Sequence, residues 1–180
     1  MSWITAKLER SGLPYMVTGG SAVAFWGEVR TTADIDVVVQ IAPSDIQSLV
    51  SSLKDEAYID EEDVREAVSR KRMFNAIFNS TSFKVDFAVL DTGDRYEQEK
   101  FSRRRKMALA GGPVWVIAPE DLVLSKLRWM KSAGGSERQL RDCRGIIALN
   151  GDKLDLDYML KWAAALGLRE EFELLSPKGL

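Results

Sequence analysis

Histidine is absent from this chain of 180 residues, and cysteine occurs once, at Cys143. Without histidine the chain cannot build a Ser-His-Asp or Cys-His nucleophile, and it lacks the commonest protein ligand of zinc. One cysteine excludes an internal disulfide, which favours a reducing compartment such as the cytoplasm. Apolar runs stay short of the roughly 18–20 residues that a membrane-spanning helix needs, so we expect no membrane association. Any chemistry must therefore use carboxylates, lysines, hydroxyls or a bound hard metal ion.

Charge is present in both signs but is unevenly distributed along the chain. The formal net charge is only −2, yet residues 28–66 hold eleven acids and three bases, and residues 95–144 hold twelve bases and six acids. This asymmetry favours an acidic metal-binding part and a basic part that receives phosphate groups. Two solvated surfaces of opposite charge would give the same pattern.

Hydrophobic periodicity and turn residues predict an α+β fold, in which a small mixed β-sheet flanked by helices is followed by a helical C-terminal part. We expect a core of residues 1–118 and a helical subdomain of residues 119–180 packed on it. The predicted strands are 15–18, 34–41, 73–79 and 83–90, with two short strands around Gly111-Gly112-Pro113. The predicted helices are 2–11, 22–28, 44–56, 60–70, 94–102, 119–132, 136–149, 155–165 and 168–175. Ser21 is predicted to cap the second of these helices, and Ser44 with Gln47 to form a capping box on the third.

Three aspartates fall in two of the predicted strands. Asp34 and Asp36 lie in ADIDVVVQI and point to the same face, because side chains alternate along a strand. Asp86 lies in FKVDFAVL on the face opposite the apolar side chains. If the two strands are neighbours, three carboxylates converge, and a hard divalent cation would keep them all ionised. Lys84, on the same face as Asp86, offers a simpler explanation, since it could pair with that acid.

A glycine-rich turn, Gly19-Gly20-Ser21, precedes these strands. Glycine lets the backbone approach a ligand closely, and the start of the following helix offers free N–H groups to a phosphate. Such a turn alone is a weak signal, because most turns of this composition are structural. When such a turn is followed by a pair of acids and then by a third acid, the combination is a much more specific signal than the turn alone.

The run GGSAVAFWGEVRTTADIDVVV, taken with FKVDFAVL, resembles the nucleotidyltransferase superfamily that includes DNA polymerase beta, minimal nucleotidyltransferases and aminoglycoside nucleotidyltransferases. That family has a Gly-Ser or Gly-Gly turn, a helix, Asp-x-Asp on the next strand and a third Asp on a later strand. Gly20 and Ser21 match the turn. Asp34 and Asp36 match the paired acids, and Asp86 matches the third.

A second likeness lies downstream, in PEDLVLSKLRWMKSAGGSERQLRDCRGII. This segment resembles the lysine helix and the R-x-x-R-D helix of the branch that contains abortive-infection toxins of type IV toxin–antitoxin systems. The matching positions are Lys126, Arg138, Arg141 and Asp142. Twelve residues separate Ser21 from Asp34, and this wide spacing also favours the toxin-like and uncharacterised branches over the minimal enzymes.

The resemblance implies a nucleotidyltransferase that moves NMP from an NTP to a hydroxyl acceptor, with Mg²⁺ or Mn²⁺ as cofactor. The three aspartates would be the catalytic residues and metal ligands. Nucleotide binding would fall to five further residues: Gly19, Gly20, Ser21, Arg30 and Lys126. The acceptor would be tRNA or another RNA, a protein or a small molecule, and a cognate antitoxin would be a further partner. The basic run of residues 103–106 slightly favours a polyanionic acceptor, although aromatic residues are not interleaved with it.

Two alternatives remain open from the sequence. The chain could be a non-catalytic nucleotide- or partner-binding module that retains the fold. Lys126, which shares a helical stripe with apolar residues, could either extend past the core or meet phosphates in a pocket.

Overall fold

A seven-stranded mixed sheet forms the centre of the fold. The computed structural model describes residues 1–27, 32, 34–79 and 83–175. The strand order is β3-β4-β5-β2-β1-β7-β6. In chain order the strands are β1 (Tyr15–Thr18), β2 (Asp34–Val39), β3 (Ala57–Tyr58), β4 (Met73–Phe78), β5 (Lys84–Val89), β6 (Arg105–Met107) and β7 (Val114–Val116). Apart from the two-residue β3, each strand coincides with a predicted one to within about two residues.

The helices follow the predicted order. Within the described residues they are α1 (Ser2–Arg10), α2 (Gly19–Trp26), α3 (Ile46–Leu53), α4 (Glu61–Arg70), α5 (Arg95–Ser102), α6 (Pro119–Ser132), α7 (Glu137–Asn150), α8 (Leu156–Ala165) and α9 (Arg169–Glu173). None of the described helices is long and apolar enough to span a bilayer.

Side-chain caps explain where several helices begin. The Asp60 carboxylate accepts hydrogen bonds from two backbone N–H groups at the start of α4, and Asp94 does the same for α5. At the start of α7 the Ser136 hydroxyl accepts from one backbone N–H, that of Gln139, and at the start of α8 the Asp155 carboxylate accepts from that of Tyr158. These contacts satisfy N–H groups that have no partner within the helix, which stabilises a helix by about 1 kcal/mol per cap.

Two predicted caps are wrong. Helix α2 begins at Gly19, before Ser21, and the Ser21 hydroxyl donates to the backbone carbonyl of Asp34 at 3.1 Å. The segment Pro43–Asp45 forms a 3₁₀ turn ahead of α3, and the Asp45 carboxylate accepts from the Ala42 N–H at 2.9 Å. Ser44 therefore does not cap a helix, because its neighbour Asp45 reaches back to the turn.

The chain divides into two compact units. The first comprises the described residues of Met1–Ser21 and Thr31–Val116, and the second those of Ala22–Arg30 and Ile117–Leu180. One boundary falls after Val116 and another inside α2, and the predicted division into 1–118 and 119–180 stays a prediction.

Each unit has its own apolar core. In the first, α1, α3 and α4 contribute fully buried side chains beside those of the sheet, among them Leu8, Met16, Val37, Leu49 and Phe87. In the second, α6 packs on α7, α8 and α9 around Leu122, Leu127, Cys143, Ile146 and Met159. Burial of such side chains stabilises the fold by about 1.5–3 kcal/mol each.

Candidate functional site

The three aspartates lie on one face of the sheet, at the end where β2 and β5 begin. These two strands are parallel neighbours, with Asp36 directly opposite Asp86 and Asp34 directly opposite Lys84. Half-buried and buried positions alternate along β5 and over the first four residues of β2, and Ile35 is buried on the face opposite Asp34 and Asp36. Neighbouring strands lie about 4.8 Å apart, which brings the carboxylates within reach of one another. We call Asp34, Asp36 and Asp86 the acidic patch.

The glycine-rich turn holds one of these acids in place. The backbone N–H of Gly20 donates to the Asp36 carboxylate at 3.2 Å. Gly19 has a φ of +59°, and a Cβ at this position would overlap the Asp36 side chain. Only glycine satisfies both conditions, since a left-handed backbone and this close approach each disfavour a side chain. With Ser21 hydrogen-bonded to the backbone of Asp34, the turn positions the acidic end of β2.

Lys84 neutralises part of the acidic patch. Its ammonium nitrogen lies 2.9 Å from Oδ2 of Asp86, and 39% of the lysine side chain is exposed against 16% of the aspartate. The hydrogen bond to Asp86 is the largest of the effects that raise the pKa of Lys84, and the negative charges of the three aspartates act in the same direction. The pairing suggested by the sequence is confirmed.

As the side chains stand, the described residues contain no group of three or more His, Cys, Asp or Glu side chains arranged to hold a metal ion. The predicted sharing of one Mg²⁺ by all three aspartates therefore stays a prediction. The chemistry of the patch still suits such an ion, because carboxylate oxygens are the donors that hard cations prefer. An ammonium and a backbone N–H, both positive in character, already contact the patch.

Two polar neighbours of the acidic patch were not predicted from the sequence. Asn75 of β4 lies directly opposite Asp86, and Thr18 of β1 lies directly opposite Asp36. A row of four polar side chains therefore crosses the four strands β1, β2, β5 and β4. The turn signal that the sequence carries between β4 and β5 could have identified Asn75, because the length of such a connection sets which residues of the two strands face each other.

Lys126 lies in the second unit, within α6, and is 5% exposed. Its ammonium donates to Asp142 at 2.7 Å and to Gln139 at 3.0 Å, both on α7. This buried pair was not among the two alternatives drawn from the sequence, and the contact of Lys126 with a nucleotide stays a prediction. Arg30, the other predicted nucleotide-binding cation, lies outside the described residues.

The basic run of residues 103–106 gains an aromatic partner in the fold. Lys106 of β6 pairs in register with Trp115 of β7. The charged ends of Arg104 and Lys106 lie 4.9 Å and 5.5 Å from the centre of the Trp115 ring. No aromatic residue is interleaved within the run itself, as the sequence indicates, and the tryptophan comes from the neighbouring strand β7.

Residues 2–159 match a protein family described as nucleotidyltransferase of unknown function (DUF6036). A comparison with curated proteins finds no match.

Several solved structures share the fold. One is an antigenic nucleotidyltransferase-like protein from Paracoccidioides brasiliensis, with a TM-score of 0.60 and 17% identity over 97% of this chain and 89% of that one. Another is ANT(2'')-Ia in complex with adenylyl-2''-tobramycin, with a TM-score of 0.60 and 13% identity over 93% and 94% of the two chains. A third is the lincomycin-bound lincosamide antibiotic adenylyltransferase LnuA, with a TM-score of 0.55 and 13% identity over 82% and 94%. The nucleotidyltransferase-like fold expected from the sequence is confirmed.

Proposed function

Because the chain belongs to the family of nucleotidyltransferases of unknown function (DUF6036), we propose that it transfers NMP from an NTP to a hydroxyl acceptor. The observation that carries the proposal is the register of β2 and β5, which sets Asp36 opposite Asp86 with Asp34 on the same face. The Gly20 N–H bound to Asp36 fixes this arrangement beside the start of a helix.

The proposed cofactor is Mg²⁺ or Mn²⁺, held by Asp34, Asp36 and Asp86. Such an ion, when bound, offsets the charge of the triphosphate and of the departing pyrophosphate. The hard oxygen donors of the acidic patch fit it. Asp36 fits such an ion because a backbone contact already fixes the position of its carboxylate.

The chain's own groups account for the remaining steps. The acceptor oxygen attacks the α-phosphorus, the new O–P bond forms as the bond to pyrophosphate breaks, and Asp86 takes the hydroxyl proton. Asp86 is suited to this role because a carboxylate can serve as general base in a chain without histidine. The free N–H groups at the start of α2 are proposed to bind the β- and γ-phosphates, with Ser21, Arg30 and Lys126 as further contacts.

The acceptor is the least constrained part of the proposal. Two structural neighbours carry antibiotics or their adenylylated form, which favours a small molecule with a hydroxyl group. The Arg104–Trp115–Lys106 contacts favour RNA, including a tRNA end, because cations bind phosphates and tryptophan stacks on bases. A toxin role with a cognate antitoxin would follow if the acceptor proved to be tRNA. With one cysteine and NTP as donor, the cytoplasm is the proposed compartment.

A non-catalytic nucleotide-binding module is the second candidate. The Lys84–Asp86 ion pair favours it, since this pair occupies the acid that would accept the proton. The two candidates differ in one measurable way, because the module would bind NTP without transferring NMP.

The test is transfer of label from each α-³²P-NTP, with Mg²⁺ or Mn²⁺, to total RNA, to cell protein and to a panel of aminoglycosides and lincosamides. We expect one nucleotide and one acceptor class to be labelled. Asp36→Asn should abolish the label while leaving the circular dichroism spectrum and the unfolding midpoint near those of the wild type.

Asp91→Asn is the matched control. Asp91 lies in the same unit just after β5 and also accepts a backbone N–H, from Gly93 at 2.9 Å. This variant should keep full activity. Equal labelling by Asp36→Asn and the wild type would contradict the role of the acidic patch, and NTP binding without any labelled acceptor would favour the non-catalytic module.

A further inference from the structure

Lys84 places a positive charge where the proposed metal ion would bind. It lies opposite Asp34 in the parallel pairing of β2 and β5. It also precedes Asp86 by two residues, so both side chains stand on the same face of the sheet. The 2.9 Å contact between the ammonium and Oδ2 of Asp86 shows that the lysine extends along this face toward the acids.

The acidic patch needs a cation to remain compact. Asp36 and Asp86 are directly opposite each other on neighbouring strands, and like charges in that relation destabilise a sheet. Lys84 meets this need within the chain. A divalent ion would meet the same need, but an ammonium and a divalent cation on one carboxylate repel each other.

We propose that Lys84 is an internal cation that competes with the metal ion: it neutralises the acidic patch in the metal-free protein and leaves Asp86 when the metal binds. This inference rests on the proposed function, because it takes the three aspartates as the metal ligands. Lys84 is a positioning residue here, since it acts through Asp86.

The two contacts to the patch differ in how easily they can be exchanged. Gly20 holds Asp36 through a backbone N–H that belongs to a fixed turn. Lys84 reaches Asp86 through a flexible four-carbon chain, and 39% of its side chain is exposed. The lysine can therefore swing into solvent while the turn and Asp36 stay in place.

The test measures binding of Mn²⁺ alone, without nucleotide, by the electron paramagnetic resonance signal of the free ion, and of Mg²⁺ by calorimetry. Lys84→Met removes the charge and keeps the length of the side chain, and we expect it to bind Mn²⁺ about tenfold more tightly. Lys84→Arg keeps a competing cation and should stay within about twofold of the wild type.

Lys7→Met is the matched control, because Lys7 forms a comparable 2.7 Å ion pair with Glu56 in the same unit, and its loss changes the net charge equally. This variant should not change Mn²⁺ affinity. A similar gain in Lys7→Met would show that net charge alone is responsible, and it would overturn the inference.

Thermal unfolding supplies the second readout. Without metal, Lys84→Met should melt below the wild type, because Asp86 loses its ion pair with Lys84. Saturating Mg²⁺ should raise its melting temperature by more than it raises that of the wild type. If the role of Lys84 is purely structural, Lys84→Met should lower the melting temperature equally with and without metal, and it should leave the affinity for Mn²⁺ unchanged or weakened. Either result overturns the inference.

Failure of this inference can be told apart from failure of the proposed function. A wild-type protein that transfers NMP and binds Mn²⁺ no less tightly than Lys84→Met would contradict only the competing role of Lys84. If neither protein binds Mn²⁺ and the wild type labels no acceptor, both proposals are wrong.

Discussion

Gly19 connects backbone conformation to the chemistry of the site in a single residue. Its positive φ of +59° starts α2, and the missing side chain leaves room for the Asp36 carboxylate. The neighbouring N–H of Gly20 then binds that carboxylate. In this fold the turn orders an acid, and the N–H of Gly20 is already engaged by that acid.

Gly19→Ala should therefore damage the site more than the fold. The added Cβ would displace Asp36, and a displacement of about 1 Å can lower transfer by about 10²-fold. The strained backbone should lower the free energy of unfolding by about 1 kcal/mol or more. Gly12→Ala is the control, because Gly12 has a similar φ of +65° but open space around the added Cβ.

Both variants should lose stability in urea unfolding, whereas only Gly19→Ala should lose transfer activity and Mn²⁺ affinity. Equal activity of the two variants would show that the close approach of Gly19 to Asp36 does not matter for the reaction.

At the level of elements, alternation along β2 and β5 made the acidic patch predictable. In β2, Ile35 and Val37 alternate with the aspartates, and this pattern predicts a strand with one buried face and one half-buried face. The turn signal at residues 79–82 of the sequence located β4 and β5 correctly. Apolar periodicity, together with the Gly134-Gly135 break between α6 and α7, also predicted the helices of the C-terminal part.

Side-chain partners were much less predictable than elements. Ser44 has the spacing of a capping box, yet Asp45 and Pro43 form a turn that uses the same backbone. The approach of Trp115 to Lys106 depends on the pairing of β6 with β7, and local sequence does not encode that register. The partner of Lys126 lies sixteen residues downstream on another helix, so periodicity could place the lysine but not its contact.

The Lys126–Asp142 pair joins α6 to α7 inside the second unit. Both side chains are nearly buried, at 5% and 6% exposure. Breaking a buried ion pair by removing one partner is strongly destabilising, so Lys126→Met should lower the free energy of unfolding by about 3–5 kcal/mol. Replacing both, as Lys126→Met with Asp142→Leu, should restore most of that loss. Urea unfolding followed by circular dichroism measures each value.

Arg70→Met is the comparison for this pair. Arg70 forms an exposed 3.1 Å pair with Glu66 on α4, and its loss should cost less than about 1 kcal/mol. If Lys126→Met instead keeps the stability of the wild type and loses NTP binding, then the lysine is a nucleotide ligand and its pairing with Asp142 is incidental.

At the scale of the whole molecule, a buried group in each unit has a pKa raised to about 12. Burial raises the pKa of Tyr15, in the first unit, from 10.0 to about 12. In the second unit, burial raises the pKa of the Cys143 thiol from 9.0 to about 12. In the folded protein both groups therefore stay neutral at pH values where the unfolded chain ionises them.

The free energy of unfolding should accordingly fall as the pH rises from about 9 to about 12, because the unfolded state releases protons that the folded state retains. Urea unfolding at several pH values measures this slope. Tyr15→Phe should flatten it between about pH 10 and 12, whereas Cys143→Ala should flatten it from about pH 9 upward. As the only thiol in the chain, Cys143 should also react with a thiol reagent at pH 8 only when the second unit opens. Fast reaction in the absence of urea would contradict the buried, protonated thiol and with it the packing of α7 on α6.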